Sequence, residues 1–237
     1  QDGVETLPVW VATPSREIVT VLDTSKHVQT AYMEPGPELT PKEVASVHDA
    51  FDAVLGEASV VTFNGTVPCA VLNTLYFDMI QRCAELGVKT VLDSHGAAFA
   101  EGVKARPLMV KPNLEETQEL FGVTIKAEND ILGAIAKYHD LGIRFVVISM
   151  GAKGAFASLD GRTLQCTPPK IEEVNPVGSG DALVAGLAVG LMEGMDLEEM
   201  CRLGVGAGTA NATSWDIGHC TREEIERYAR MVRIKNV

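Results

Sequence analysis

Through most of the chain, short apolar runs alternate with longer stretches that carry apolar residues at helical spacing. Residues 59–63, 90–93, 107–110 and 144–148 are strand-length runs rich in Val, Leu, Ile and Phe, and helical patterns occupy residues 41–55, 69–87, 127–141, 197–212 and 222–232. Strands separated by helices form βαβ units, so the pattern predicts a parallel sheet with helices on both faces. Thr40-Pro41, and Thr221 followed by Glu224, mark two helix starts. In each a hydroxyl can accept an unpaired amide, and proline stands where no amide is needed. The first part of the chain differs. Residues 7–12, 18–22 and 27–32 are short runs divided by turn residues, which predicts a small antiparallel sheet. The expected division is a mainly β unit over 1–36 and an α/β core over 37–237.

Each apolar run of the core ends on polar or small residues: Asn64-Gly65-Thr66, Asp93-Ser94-His95, Lys111-Pro112-Asn113 and Ser149-Met150-Gly151. Ligands of open α/β sheets bind beyond the carboxyl ends of the strands, so the chemistry is expected along that edge. The most informative segment is Asn175-Pro176-Val177-Gly178-Ser179-Gly180-Asp181, which runs directly into an apolar helix. Its glycines let backbone amides approach an anion, and the helix adds its unpaired amides and positive end. A carboxylate there would repel a resting phosphate. Asp181 makes better sense as a base facing a hydroxyl about to attack one. The plain alternative is a helix-start carboxylate, worth about 0.3–1 kcal/mol.

In Lys111-Pro112-Asn113-Leu114-Glu115-Glu116, Pro112 ends a strand and Asn113 with Glu116 has capping-box spacing. Capping alone accounts for both side chains. The same pair could also order the water shell of a Mg²⁺ ion, with Lys111 beside a nucleotide phosphate. Ser149-Met150-Gly151-Ala152-Lys153-Gly154 is either a tight turn between two strands or a loop touching ATP. Gly204-Val205-Gly206-Ala207-Gly208 sits in a helical pattern and is read as a small-residue face packed on another helix.

Charge and composition remove other classes. With Lys+Arg 20 against Asp+Glu 32, a net charge of -12 opposes a nucleic-acid or anionic-membrane partner. Five cysteines without a C-x-x-C pair point to reduced thiols, and five histidines lack zinc-site spacing. No run approaches the roughly 20 apolar residues of a membrane span, and no signal peptide is visible, so cytoplasmic metabolism is the expected setting. There is no G-x-x-x-x-G-K-[ST] motif, and Leu183 stands where a dinucleotide fingerprint needs Gly or Ala.

Together these motifs resemble the ribokinase/PfkB carbohydrate kinase superfamily. Asn175–Asp181 is similar to its D-T-x-G-A-G-D signature, Asn113-x-x-Glu116 to its N-x-x-E motif, and Ser149–Gly154 to its nucleotide loop. Within the superfamily, residues 34–39, 64–68 and 110–113 resemble the branch containing 1-phosphofructokinase and tagatose-6-phosphate kinase. The resemblance implies a ribokinase-like three-layer αβα sandwich with a small antiparallel β-sheet lid. It further implies an ATP-dependent kinase acting on a ketohexose phosphate. Asp181 would be the base, and the amides of Gly178, Ser179 and Gly180 would stabilise the moving phosphoryl group. Lys111, Asn113, Ser149, Gly151, Lys153, Gly154 and Asn211 would contact ATP, and Asn113 and Glu116 would govern Mg²⁺. Arg16 would face the sugar's phosphate, Thr66 would supply a hydroxyl on the substrate side, and the lid would form a homodimer interface.

Asn175-Pro176 replaces the usual Asp-Thr of the signature, and Ser179 replaces Ala. The family's N-terminal segment with its sugar-binding Asp has no counterpart here, so a longer native product is expected. Two rival readings remain: a kinase of an unphosphorylated sugar or nucleoside, which has no use for Arg16, and a non-catalytic binding protein, which has no use for Asp181.

Overall fold

A computed structural model of the chain describes residues 3–23, 25 and 28–237. Strands β1 (Ile18–Asp23) and β2 (Val28–Met33) pair antiparallel, with Ile18 opposite Met33 and Asp23 opposite Val28. This is the expected small sheet, and His27 of its second expected run lies outside the described residues. Residues 7–12, expected as a further strand, form none. Pro8 removes a ladder donor from that stretch. What holds the segment instead is a bond from the Ala12 amide to Glu43 Oε1 at 2.7 Å.

The same Glu43 closes the capping box of α1 (Pro41–Leu55), accepting from Thr40 N at 2.8 Å. The Thr40 hydroxyl, which also donates to Glu43 at 2.7 Å, and the amides of Thr40 and Ala12 lower the pKa of its carboxyl. Then follow β3 (Val60–Asn64), α2 (Leu75–Glu85), β4 (Lys89–Asp93), α3 (Gly96–Lys104), β5 (Met109–Val110), α4 (Leu114–Phe121), α5 (Glu128–Asp140) and β6 (Phe145–Ser149). The chain continues through β7 (Ala155–Leu159), β8 (Arg162–Thr167), α6 (Ser179–Glu193), α7 (Leu197–Ala212), α8 (Arg222–Met231) and β9 (Arg233–Asn236). The expected helix over 69–87 divides into a 3-10 turn, Ala70–Leu72, and α2. Helix α3 follows β4 after Ser94 and His95, in a stretch for which the sequence pattern predicts no helix.

Seven strands form one sheet in the order β3-β4-β5-β6-β7-β8-β9. Strands β3 to β6 are parallel, whereas β7, β8 and β9 are antiparallel to their neighbours, so the sheet is mixed rather than wholly parallel. The reversal happens at the Gly151–Gly154 turn, where a Cβ on Gly154 would collide with the Cys166 carbonyl. Only glycine lets β7 leave β6 so tightly at φ +89.

Alternation along the central strands builds the two cores. Leu92, Val110, Val146, Ile148 and Phe156 face the layer of α1 to α5, while Val91, Met109, Phe145, Val147 and Ala157 face α6 and α7. The result is the three-layer αβα sandwich with a two-stranded antiparallel sheet beside it. None of the helices of the described residues is long and apolar enough to cross a membrane.

The glycine-rich stripe of α7 is a packing face, as its pattern suggested. A Cβ on Gly186 of α6 would lie 2.7 Å from Gly204 Cα, and one on Gly206 would lie 2.7 Å from Ala229 N of α8. Helices α6, α7 and α8 therefore touch backbone to backbone. Gly186→Val should separate α6 from α7 and lower stability by about 1–3 kcal/mol, the cost of overpacking. Gly133→Ala provides the contrast, because Gly133 lies in α5 with nothing within 4 Å of an added Cβ. It should stabilise by about 0.5–1 kcal/mol. Urea unfolding of both variants beside the parent checks the pair of signs.

Candidate active site

Parallel register sets polar residues side by side at the carboxyl ends of the strands. Asn64 aligns with Asp93 and Leu92 with Val110, which brings Lys111 alongside Asp93. Lys111 is 5% exposed, and its Nζ lies 3.0 Å from Asp93 Oδ1. Burial pushes the Asp93 carboxyl up, the Lys111 ammonium pulls it back down, and Glu116 and Asp181 push it up further. These four charged groups therefore act on one another, and three of them are acids. The sequence marks Asp93 only as part of a polar strand end and assigns it no role of its own. Its signal was present all the same, as a carboxylate ending a buried strand at the same edge as Lys111.

Opposite this pair stands the start of α6. Gly178 precedes the helix at φ +79, a left-handed conformation, and a side chain there would also meet Ile217 Cγ2 at 2.6 Å. A Cβ on Gly180 would stand 3.6 Å from Lys111 Nζ, so the buried ammonium lies against the first turn of the helix. Asp181 is exposed on that turn. Of the three loop amides expected to face an anion, that of Ser179 donates to Pro176 O at 3.1 Å, a bond that closes the turn.

Asn211 stands behind the same loop. It is 1% exposed, its Nδ2 donates to Val177 O at 2.8 Å and to Ser179 Oγ at 3.0 Å, and its Oδ1 accepts from Gly218 N at 2.8 Å. Both ends of the amide are thus engaged inside the protein, joining the glycine loop to the loop after α7.

The remaining expected nucleotide contacts lie along the same edge. Asn113 and Ser149 form a parallel bridge, and Ser149 N donates to Pro112 O at 3.0 Å. Asn113 Oδ1 accepts from Glu116 N at 2.9 Å while Glu116 Oε2 accepts from Asn113 N at 2.7 Å, the reciprocal capping box read from the sequence. Gly151 adopts φ +57 within a 3-10 turn that ends at Lys153, and Met150 N donates to Gly154 O at 2.8 Å. Lys153 is exposed at the tip of that turn.

On the lid side, Arg16 is half-buried next to Glu17, whose amide donates to Glu34 Oε2 at 2.8 Å. Thr66 is half-buried in the loop after β3, its hydroxyl donating to Val67 O at 3.3 Å. Gly36 presses directly on Pro68 of that loop, so the base of the lid is seated at the end of β3. Among the described residues neither Arg16 nor Thr66 bonds to the Lys111–Asp181 group. They form a separate, lid-side part of the arrangement.

Comparison with known proteins agrees with this geometry. The description "pfkB family carbohydrate kinase" matches residues 1–223. The chain is 29% identical over 214 residues to a tagatose-6-phosphate kinase of Staphylococcus epidermidis, covering 88% of this chain and 68% of that protein. Two solved structures share the fold. A "possible 1-phosphofructokinase" from Thermotoga maritima superposes with TM-score 0.86 at 21% identity, over 97% of this chain and 73% of that one. Phosphofructokinase-2 from Escherichia coli, in complex with potassium, gives TM-score 0.81 at 24% identity, over 92% of this chain and 71% of that one. With the strand-end row of Asp93, Lys111 and Ser149 facing a glycine loop that opens a helix, and with the family's pattern running from residue 1 to 223, the chain belongs to the pfkB family of carbohydrate kinases.

Proposed function

We propose that the protein transfers the γ-phosphoryl group of ATP to a primary hydroxyl of a ketohexose phosphate. Fructose 1-phosphate, tagatose 6-phosphate and fructose 6-phosphate are the candidates. The observation that carries the reading is the placement of a buried lysine ammonium against a glycine-opened helix start that also bears an exposed aspartate. Cation, amides and helix dipole favour an anion at one spot, and the carboxylate supplies a base beside it. The similarity to a tagatose-6-phosphate kinase supports a phosphorylated ketohexose as acceptor.

In this reading Asp181 accepts the proton of the sugar hydroxyl as the oxygen attacks phosphorus. The amides of Gly178 and Gly180 hold the γ-phosphoryl oxygens, and Lys111 balances charge on the phosphates as a point charge. Asn113, Ser149, Gly151, Lys153 and Gly154 flank the nucleotide, while Arg16 and Thr66 receive the sugar phosphate from the lid side. Among the described residues no group of three or more His, Cys, Asp or Glu forms a metal cage. Mg²⁺ commonly binds through one or two carboxylates plus substrate phosphates and water, and Glu116 with the adjoining Asn113 suits that role. Bound there, the ion would neutralise charge on the phosphate oxygens. Reaction depends on position and electrostatics, with no covalent intermediate on the protein.

The lid supplies the reading of assembly. Val19 and Tyr32 lie opposite each other on one face of the two-stranded sheet, 56% and 66% exposed. That apolar face suits a second copy of the chain, which would cover both lids at once.

Three outcomes are expected. Asp181→Asn should lower kcat by about 10²–10⁴-fold while leaving ATP affinity within about threefold, since only proton transfer is removed. Mg·ATP-dependent ADP release with each ketohexose phosphate, and with fructose and ribose as controls, measures this; equal losses in turnover and nucleotide binding contradict the assigned role.

Lys111→Met should weaken ATP binding and leave the buried Asp93 without its counter-ion, at a cost of about 3–5 kcal/mol near neutrality. Asp93 already has a folded-state pKa above the usual carboxylate value. Removing the cation raises it further, so the variant takes up a proton on folding. Its deficit should therefore be smallest at acid pH near the ordinary carboxylate value, grow as pH rises toward the raised pKa and level off above it, a trend read from urea midpoints. Finally, Val19→Glu with Tyr32→Glu should convert a dimer to monomer in sedimentation velocity, while a parent that sediments as a monomer removes the lid interface.

A further inference from the structure

The loop between α7 and α8 lies against the glycine loop, and two buried asparagines join them. Asn211 was described above. Asn175, 7% exposed, makes the second link: its Nδ2 donates to Trp215 O at 2.9 Å and its Oδ1 accepts from Val177 N at 3.1 Å. The orientation of the amide follows from its partners, because a carbonyl can only accept and a backbone amide can only donate. Ile217 adds a contact onto Gly178, as the space missing for a Cβ there demonstrates. Residues 215–217 are thus backed onto the anion-binding turn, while the side chains of Trp215 and Ile217 are each 61% exposed around a cavity of about 310 Å³ that Thr20 of the lid also lines.

We infer that Asn175 is a positioning residue for phosphoryl transfer, holding the Gly178 and Gly180 amides in place by anchoring the turn to the Trp215 carbonyl. This inference rests on the kinase reading for its effect on turnover. The sequence at this point departs from the family signature, which has Asp where this chain has Asn175. An aspartate would keep the acceptor for Val177 N but would set a carboxylate oxygen against the Trp215 carbonyl oxygen. Two acceptors facing each other in a buried site repel unless a proton or cation lies between them. The amide N–H of Asn175 supplies that hydrogen permanently, so in this chain the link is independent of pH.

Asn175→Asp isolates the donor. The introduced carboxyl would be buried, with the acid Asp216 lining the same cavity, the Trp215 carbonyl oxygen on one side, and the Val177 amide and, further along the loop, the Lys111 ammonium as the positive groups. Burial and the facing Trp215 carbonyl oxygen favour the protonated carboxyl and outweigh the single Val177 amide that favours the charged form, so its pKa lies above the ordinary value of about 3.9 and acidification restores an O–H donor to Trp215 O.

The test follows kcat and KM of the whole protein and of Asn175→Asp between about pH 8 and pH 5.5, with hydrogen–deuterium exchange of the 175–181 peptide measured in both. At the alkaline end the variant should lose kcat by about tenfold to a hundredfold with KM for ATP changed far less, and its 175–181 amides should exchange faster. On acidification the variant-to-parent ratio of kcat should rise, and the exchange difference should close. Asn175→Ala, which removes both bonds, should show the losses without the recovery. A ratio that stays flat with pH, or a variant with parental turnover and parental exchange at the alkaline end, overturns the inference. The exchange readout needs no substrate. If the parent transfers phosphate to no ketohexose phosphate, pH-dependent recovery of protection upholds the anchor and the kinase reading alone fails, whereas unchanged protection overturns the anchor independently.

Discussion

Lysine is seldom buried without a partner, and where Lys111 is buried its position dictates what can surround it. The ammonium needs a counter-charge, and parallel register places Asp93 at the end of the next strand to provide one at 3.0 Å. Having satisfied that need, the cation still faces Gly180 across the sheet edge, where no side chain intervenes. A single buried pair thus ties β4 to β5, sets the charge of the strand-end row and completes the anion-attracting corner at the start of α6. The acids nearby, Glu116 and Asp181, raise the Asp93 carboxyl in turn, so the site holds more negative charge than its one buried cation balances. Such a field favours the arrival of another cation with the phosphates.

The rest of the architecture keeps that corner rigid. Helix α6 cannot drift, because its Gly186 meets Gly204 of α7 backbone to backbone and Gly208 of α7 lies under Ser179. Buried amides then fasten the loop that precedes α6 to the loop that follows α7. Loops are ordinarily the mobile parts of a fold, yet this one has packed glycine below it and hydrogen-bonded asparagine on both sides. Amides that are to stabilise a moving phosphoryl group must be preorganised, and a loop held in this way meets that requirement of the proposed reaction. The lid is different in kind: two strands with exposed apolar residues, tied to the core at Glu43 and at the Gly36–Pro68 contact.

Much of this was legible in the residues, and the legible parts share a cause. Capping boxes at Thr40, Asn113 and Thr221 are local, needing only three residues of chain to close, and all three formed. The apolar runs became the strands β3 to β6, since their side-chain alternation meets a core on each face. Where local pattern competed with context the reading was less complete. Residues 7–12 have strand-like residues but no strand, and Ser149–Gly154 reads equally as a hairpin or a nucleotide loop until the mixed sheet is seen, when it is a turn whose open side joins the strand-end row.

The sequence by itself determined the αβα class, the glycine loop with its aspartate and the capping residues, because periodicity, turn chemistry and helix starts depend on neighbours within a few positions. Only the tertiary structure decided that Asp93 pairs with Lys111, that Asn211 bonds the back of the glycine loop, and that Asn175 reaches Trp215, 40 residues further along the chain. Those outcomes depend on which strand lies beside which and which helix backs which loop. No spacing along the chain encodes a distance between segments that meet only when the sheet and its two helical layers close.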